Sequence, residues 1–198
     1  MKSPIILASG SSYKRALFER LRLPFSVLAA NIDETPGPGE SAESLVERLS
    51  RGKAQALAKN NPDQWILGCD QCAHLNGQLI NKPVNHQTAV AQLLRCSGQI
   101  VEFITGVTLL NQATGQSFYA SSKVQVEFIT LSLAQIEGYL KADKPYDCAG
   151  SFKVESLGIA LFKRVTSEDP TSLEGLPLVS VCQLLRRAGL EPLDWRSG

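Results

Sequence analysis

The spacing of apolar positions changes along the chain, and each change marks an element. Ile5, Ile6, Leu7 and Ala8 form the short continuous run of a buried strand, and from Tyr13 to about Arg22 the positions Ala16, Leu17 and Leu21 give one helical face. Ser11 or Ser12 is the natural N-cap of that helix. FSVLAA (25–30) predicts a second strand. Residues 42–59 predict a helix that buries Leu45, Val46, Leu49, Ala56 and Leu57 and carries Lys53 close to the same stripe. WILGC (65–69) reads as a strand, and Asn76 with Gly77 between short apolar runs predicts a hairpin returning to Lys82 and Pro83, with Asp70 and Lys82 on facing arms.

Further on, a helix over 87–97 stops at Gly98. QIVEFITGVTLLN (99–111) and QSFYASSKVQVEFIT (116–130) predict two long antiparallel strands around the turn NQATG. Ser132 and Gln135 form a capping-box pattern for a helix ending near Ala142, GIALFKRV (158–165) predicts a strand, and Pro177 takes the first position of a last helix that ends before Gly189. Strands and helices alternate, yet some strands are sequence neighbours. The expected fold is therefore α/β, a mixed twisted sheet flanked by helices, in one domain over 1–198.

Composition narrows the function classes. The formal net charge is +1, so no broad electrostatic footprint draws the chain to nucleic acid or to a membrane, and any anion site must be local. The first residues show no basic-then-apolar pattern and no apolar run reaches about 18 residues, so neither a leader nor a membrane span is expected. Its five cysteines form no secreted-type framework, so the expected setting is cytoplasmic.

Four stretches carry candidate chemistry. LASGSSYKR (7–15) joins a strand to a helix start through small and hydroxyl residues, where unpaired N–H groups, the hydroxyls of Ser9, Ser11 and Ser12, and the charges of Lys14 and Arg15 suit a phosphate; a plain N-cap beside two solvated cations reads equally well. In LGCDQC, Asp70 faces away from the core if Cys69 faces it, and a carboxylate ending a buried strand is where open α/β sheets place ligand chemistry. Cys69 and Cys72 raise redox or zinc readings, but there is no second C-x-x-C and the apparent setting is a hairpin rather than a helix start. Asp33 and Glu34 in NIDETPG could join Asp70 around a divalent cation, and DCAGSFKVES (147–156) is a binding loop or a surface turn.

Taken in order, these stretches resemble the Maf family of nucleoside triphosphate pyrophosphatases through LASGSSYKR, DE, GCDQ, NKP and AGSF, over nearly the whole chain. The resemblance implies two lobes around a central cleft in an inosine triphosphatase-like fold. It also implies hydrolysis of a modified nucleoside triphosphate to the monophosphate and pyrophosphate with a divalent cation (Mg²⁺, Mn²⁺ or Co²⁺), and leaves a homodimer open. By position, Asp70 matches the proton acceptor and a metal ligand, Glu34 a second metal ligand, and Ser9, Ser11, Lys14, Arg15, Lys53 and Lys82 the phosphate contacts. Ser12 replaces the family's usual proline, Lys14 an arginine, and Gly10 a hydroxyl residue.

Tyr13, Gln71 and Glu155 are similar to the subgroup acting on 7-methyl-GTP, whereas members acting on dTTP and UTP carry Arg at the first position and Gln at the last. A methylated guanine is cationic, which suits an aromatic face and a carboxylate. A dTTP/UTP pyrophosphatase, or a nucleotide-responsive regulator of cell division without turnover, are the alternatives.

Overall fold

The computed structural model describes residues 4–194, and its strands form one mixed sheet. In chain order the elements are β1 (Ile5–Ala8), α1 (Ser12–Glu19), β2 (Phe25–Leu28), α2 (Ala42–Ala58), β3 (Trp65–Leu75), β4 (Gln78–Ile80), α3 (His86–Cys96), β5 (Ile100–Asn111), β6 (Gln116–Phe128), α4 (Leu133–Asp143), β7 (Phe162–Ser167) and α5 (Leu178–Arg187). The sheet order is β2-β1-β3-β5-β6-β7, with β4 added beside β3. β1 runs parallel to β2 and β3, while β3–β4 and β6–β7 are antiparallel, as a mixed α/β sheet requires.

Two compact units divide the chain. The first contains residues up to Gln71, Thr105–Ser122 and the segment from Asp169; the second contains Cys72–Ile104 and Lys123–Glu168. In the first unit β1 is buried on both faces, and its alternation sorts the core. Ile5 and Leu7 pack with Leu17 and Phe18 of α1 and with Val181, Leu184 and Leu185 of α5. Ile6 and Ala8 point the other way, to Ala54 and Ala58 of α2 and to Ile66 of β3. Parallel strands covered on both faces read as unbroken apolar runs for this reason.

Glycines bring α2 against the strands. A Cβ at Gly68 of β3 would stand 2.0 Å from the Ser50 carbonyl oxygen, and one at Gly106 of β5 would stand 2.7 Å from that of Val46, so only glycine permits the helix to lie this close. The Ser50 and Thr108 hydroxyls share a buried hydrogen bond of 2.9 Å along the same seam.

The second unit is organised around aromatic rings. Phe152 meets Phe103, Phe128 and Phe162 edge-on at centroid distances of 5.3, 5.9 and 4.8 Å. Gly150, at φ +78°, leaves room for two of those rings, since a Cβ there would lie 3.0 Å from Phe103 Cζ.

Several expectations shift. The strand read over 65–69 continues to Leu75, and the β3–β4 ladder begins at the Ala73–Ile80 pair, so neither Asp70 nor Lys82 belongs to facing arms of a hairpin. Residues 157–161 wind into a 3₁₀ turn, leaving β7 to start at Phe162. Ala54 and Ala58 are buried in α2, where Ala56 and Leu57 are only half-buried. Pro177 is the N-cap of α5 rather than its first residue. The capping box at Ser132 and Gln135 forms as its spacing predicts.

Candidate active site

The end of β3 splits its side chains between two settings. Gly68 and Asp70 face α2, whereas Cys69 and Gln71 face the opposite side. Because Gly68 seats α2 on the strand, Lys53, one turn beyond Ser50, reaches the Asp70 carboxylate, with Nζ donating to Oδ1 at 2.6 Å. The same ammonium stands 2.8 Å from Glu34 Oε1. Lys53 and Asp70 are both buried, at 9% and 8% exposure, so this ion pair lies in a setting where charge is weakly screened. Burial is the largest influence on Lys53 and pulls its pKa down, but the Asp70 charge and the hydrogen bonds to Asp70 and Glu34 together outweigh it and raise the pKa above the usual lysine value.

Glu34 is held there by a loop whose anchor is Arg48. The Arg48 guanidinium donates to Glu40 Oε1 at 2.7 Å, to Glu40 Oε2 at 2.8 Å and to the Thr35 carbonyl at 3.0 Å. The hydrogen bonds from Arg48 to its carboxylate, followed by one from the Gly37 N–H, hold the Glu40 carboxyl down at about 2. Asp33 accepts from the Thr35 N–H at 2.9 Å, an Asx-type turn, so of the two neighbouring acids Asp33 shapes the loop and Glu34 turns to Lys53.

The carboxylates of Glu34 and Asp70 thus converge on one point, now held by an ammonium. Among the described residues no group of three or more His, Cys, Asp or Glu side chains is placed to hold a metal ion. Two carboxylates do fit a hard cation that takes its remaining ligands from phosphate and water.

At the start of α1, Ser11 caps the helix, accepting from the Lys14 N–H at 3.4 Å, and its own N–H donates to Ser9 Oγ at 3.1 Å. Gly10 is exposed and uncrowded; a Cβ there would meet only Ala29, at 3.8 Å. Arg15 runs along the helix to Glu19, with Nε donating to Oε1 at 2.9 Å. An exposed i,i+4 pair of this kind is worth only a few tenths of a kcal/mol, about 0.3–0.5, so the guanidinium can exchange Glu19 for a phosphate at little cost. Tyr13 and Lys14 are half-buried.

On the other side of β3, Cys69 and Gln71 meet the turn 169–176, whose role the sequence reading missed. Cys69 Sγ donates to the Gly175 carbonyl at 3.3 Å, and Gln71 Nε2 to that of Ser172 at 2.8 Å. The turn is braced by Asp169, which is buried and accepts from the Thr171 hydroxyl at 3.0 Å and the Ser180 N–H at 3.1 Å. Thr171 Oγ1 accepts from the Leu178 N–H at 2.9 Å, so these two residues cap α5 where Pro177 offers no side-chain oxygen.

The redox and zinc readings lose their footing here. Cys69 and Cys72 lie three residues apart in one extended strand, so they face opposite ways about 10 Å apart, beyond disulfide reach of each other. Burial pushes the Cys69 thiol up to about 11.

Lys82 and Glu155 belong to the second unit. Lys82 is exposed in the irregular segment after β4, which is tied down by Gln92 Nε2 donating to the Asn81 carbonyl and by the Val84 N–H donating to that of Tyr146. Glu155 is exposed at the tip of a turn closed by Ser156 Oγ donating to Asp143 Oδ1 at 2.9 Å and by the Lys153 N–H donating to Tyr139 Oη at 3.0 Å. Gly158 lets that turn fold on itself, since a Cβ there would stand 2.3 Å from the Lys153 carbonyl oxygen.

The family profile described as Maf-like protein matches residues 4–188, a span holding every residue named above as a candidate. The chain belongs to the Maf-like protein family. Its curated relatives include 7-methyl-GTP pyrophosphatases of a Polaromonas species (46% identical, 94% of this chain and 85% of that one) and of Thiobacillus denitrificans (47%, 96% and 95%). A third, from Chromohalobacter salexigens, is 46% identical over 96% of this chain and 98% of its own. Among solved structures, the Ham1 protein of Staphylococcus aureus aligns with a TM-score of 0.46 at 16% identity, covering 63% of this chain and 71% of that one. A HAM1 protein from Coxiella burnetii aligns with 0.45 at 16%, covering 63% and 72%. Among the described residues of this Maf-like chain no helix is long and apolar enough to cross a membrane.

Proposed function

We propose that this Maf-like protein hydrolyses 7-methyl-GTP to 7-methyl-GMP and pyrophosphate, with water attacking the α-phosphorus. The observation that carries the reading is the buried Asp70 carboxylate fixed through one oxygen by Lys53, which also holds Glu34. Asp70 Oδ1 faces the point that the ammonium shares with Glu34, so the other oxygen, Oδ2, is the atom that would take the proton from the attacking water. Glu34 and Asp70 would hold a divalent cation (Mg²⁺, Mn²⁺ or Co²⁺), which when bound supplies Lewis-acid neutralisation of the phosphate charge.

Lys53 would release its carboxylate partners to such a cation and turn its own charge to the triphosphate. Ser9, Ser11, Lys14, Arg15 and Lys82 would bind phosphate oxygens, the first four around a helix start whose dipole favours anions. Phosphoryl transfer depends mainly on positioning and charge stabilisation, which is what this set would supply.

Tyr13 and Glu155 would read the methylated base. Its delocalised positive charge is attracted to an aromatic face and neutralised by a carboxylate, whereas an uncharged pyrimidine gains neither effect. The relatives named 7-methyl-GTP pyrophosphatase support this choice.

The test is pyrophosphate release from 7-methyl-GTP, GTP, UTP and dTTP with each cation. The expected result is the highest kcat/KM on 7-methyl-GTP, with Tyr13→Ala and Glu155→Gln each losing about tenfold on that substrate and little on UTP, in keeping with a desolvated cation–π or charged contact. Equal losses on both substrates would show that these residues do not read the base, and absence of pyrophosphate would remove the hydrolase reading.

A further inference from the structure

Gln71 is locked by its neighbours in a way that decides which of its two polar atoms can read a ligand. Its Nε2 lies 2.8 Å from the Ser172 carbonyl oxygen and 3.0 Å from Thr105 Oγ1, and the Thr105 hydroxyl donates in turn to the same carbonyl at 3.4 Å. A carbonyl oxygen can only accept, so the atom of the carboxamide facing Ser172 must be the nitrogen. The amide oxygen is then directed away. It lies on the side of Gly175, where an added Cβ would stand 3.7 Å from Gln71 Oε1 and 3.9 Å from Lys14 Cε at the end of the α1 capping turn. Among the described residues Oε1 carries no hydrogen bond of its own.

The lock is built into the scaffold. Thr105 is fully buried on β5, and Ser172 is fully buried within a turn held by Asp169, Thr171 and Cys69. Turning the carboxamide over would replace the 2.8 Å hydrogen bond to the Ser172 carbonyl by the repulsion of two acceptor oxygens, so the orientation is one-sided.

We propose that Thr105 and the Ser172 carbonyl act as positioning groups that fix Gln71 as a hydrogen-bond acceptor, so that the base it meets must present an N–H. This rests on the nucleotide reading above and sharpens it. The edge of 7-methylguanine that carries N1–H and the 2-amino group satisfies the requirement, whereas its O6 does not. Thr105 touches no ligand in this scheme; it acts through Gln71.

The test follows the Gln71 side chain by NMR in uniformly labelled full-length protein, with the signals assigned by their loss in Gln71→Leu. The expected result is that the NH₂ protons are protected from exchange before any nucleotide is added, and that 7-methyl-GMP moves the side-chain carbonyl carbon while leaving NH₂ protection unchanged. Thr105→Val should speed NH₂ exchange and weaken 7-methyl-GMP binding about three- to ten-fold, the range for one lost hydrogen bond, and Thr105→Ser should restore both.

Protection gained only on adding 7-methyl-GMP would mean that the nitrogen reads the base, and no response at the carbonyl carbon would mean that Gln71 does not meet it; either overturns the inference. Wild-type exchange behaviour in Thr105→Val would overturn it as well. Lack of pyrophosphate release in the separate turnover assay would count against the hydrolase reading alone, because the NMR readout needs no turnover.

Discussion

Asp70→Asn is expected to lower pyrophosphate release from 7-methyl-GTP about 10²- to 10⁴-fold, the usual cost of removing a general base. Asparagine keeps the size of the side chain and can still accept from Lys53 through its amide oxygen, so packing between β3 and α2 survives. It cannot take a proton from water. The ammonium keeps Glu34 as a charged partner at 2.8 Å, which limits the electrostatic damage. Steady-state rates on the folded variant, with its melting curve beside that of the wild type, make the check. A rate within a few-fold of wild type would remove Asp70 from the chemistry, and a loss that merely tracks the unfolded fraction would assign it a structural role.

Lys53→Met carries the second large effect, and it acts on stability as well as turnover. Methionine fills the space of the lysine stem but leaves the buried Asp70 carboxylate without its cation, and breaking a buried ion pair from one side costs about 3–5 kcal/mol. The pH dependence has a definite sign. Because the Lys53 pKa is raised in the folded protein, its contribution is complete below the ordinary lysine value of 10.5 and is lost as pH rises through the higher folded value. Unfolding curves of the two proteins should therefore differ most near neutral pH and draw together in strong alkali. A difference that does not shrink there would mean that Lys53 stabilises through packing alone. Turnover of the folded fraction should fall at least about tenfold, since a cation aimed at developing charge is worth more than one such factor.

The outline of this arrangement was legible in the sequence because it depends on local signals. The apolar run at 5–8, the Ser11 cap, the helix over 42–59 and the capping box at Ser132 are each set by spacing within one element. The strand parity that sends Cys69 and Asp70 to opposite sides is equally local. What the sequence hid is long-range. Nothing near Gly68 or Gly106 says that a helix backbone will press on them, yet that contact delivers Lys53 to Asp70 across 17 positions of chain.

Arg48 is another such case, since its loop-holding role depends on Thr35 and Glu40 folding back to meet α2. The turn 169–176 gave no motif at all. Its significance comes from backbone carbonyls, which every residue possesses, offered to Cys69 and Gln71 from about a hundred positions away. One signal could have drawn attention to it: Asp169 and Thr171 lie just ahead of a helix whose N-cap, Pro177, has no side-chain oxygen to cap it. Conversely, the hairpin signal at Asn76 and Gly77 was sound, but strand length cannot be read from a turn, so the ladder starts further from Asp70 than the spacing implied.

Hydrolysis of 7-methyl-GTP in water enriched in ¹⁸O tests the account most directly, with the label located by mass spectrometry. Attack on the α-phosphorus by water primed at Asp70 predicts label in 7-methyl-GMP, unlabelled pyrophosphate, and one of each per nucleotide consumed. Label in pyrophosphate, or release of inorganic phosphate with 7-methyl-GDP, would contradict it.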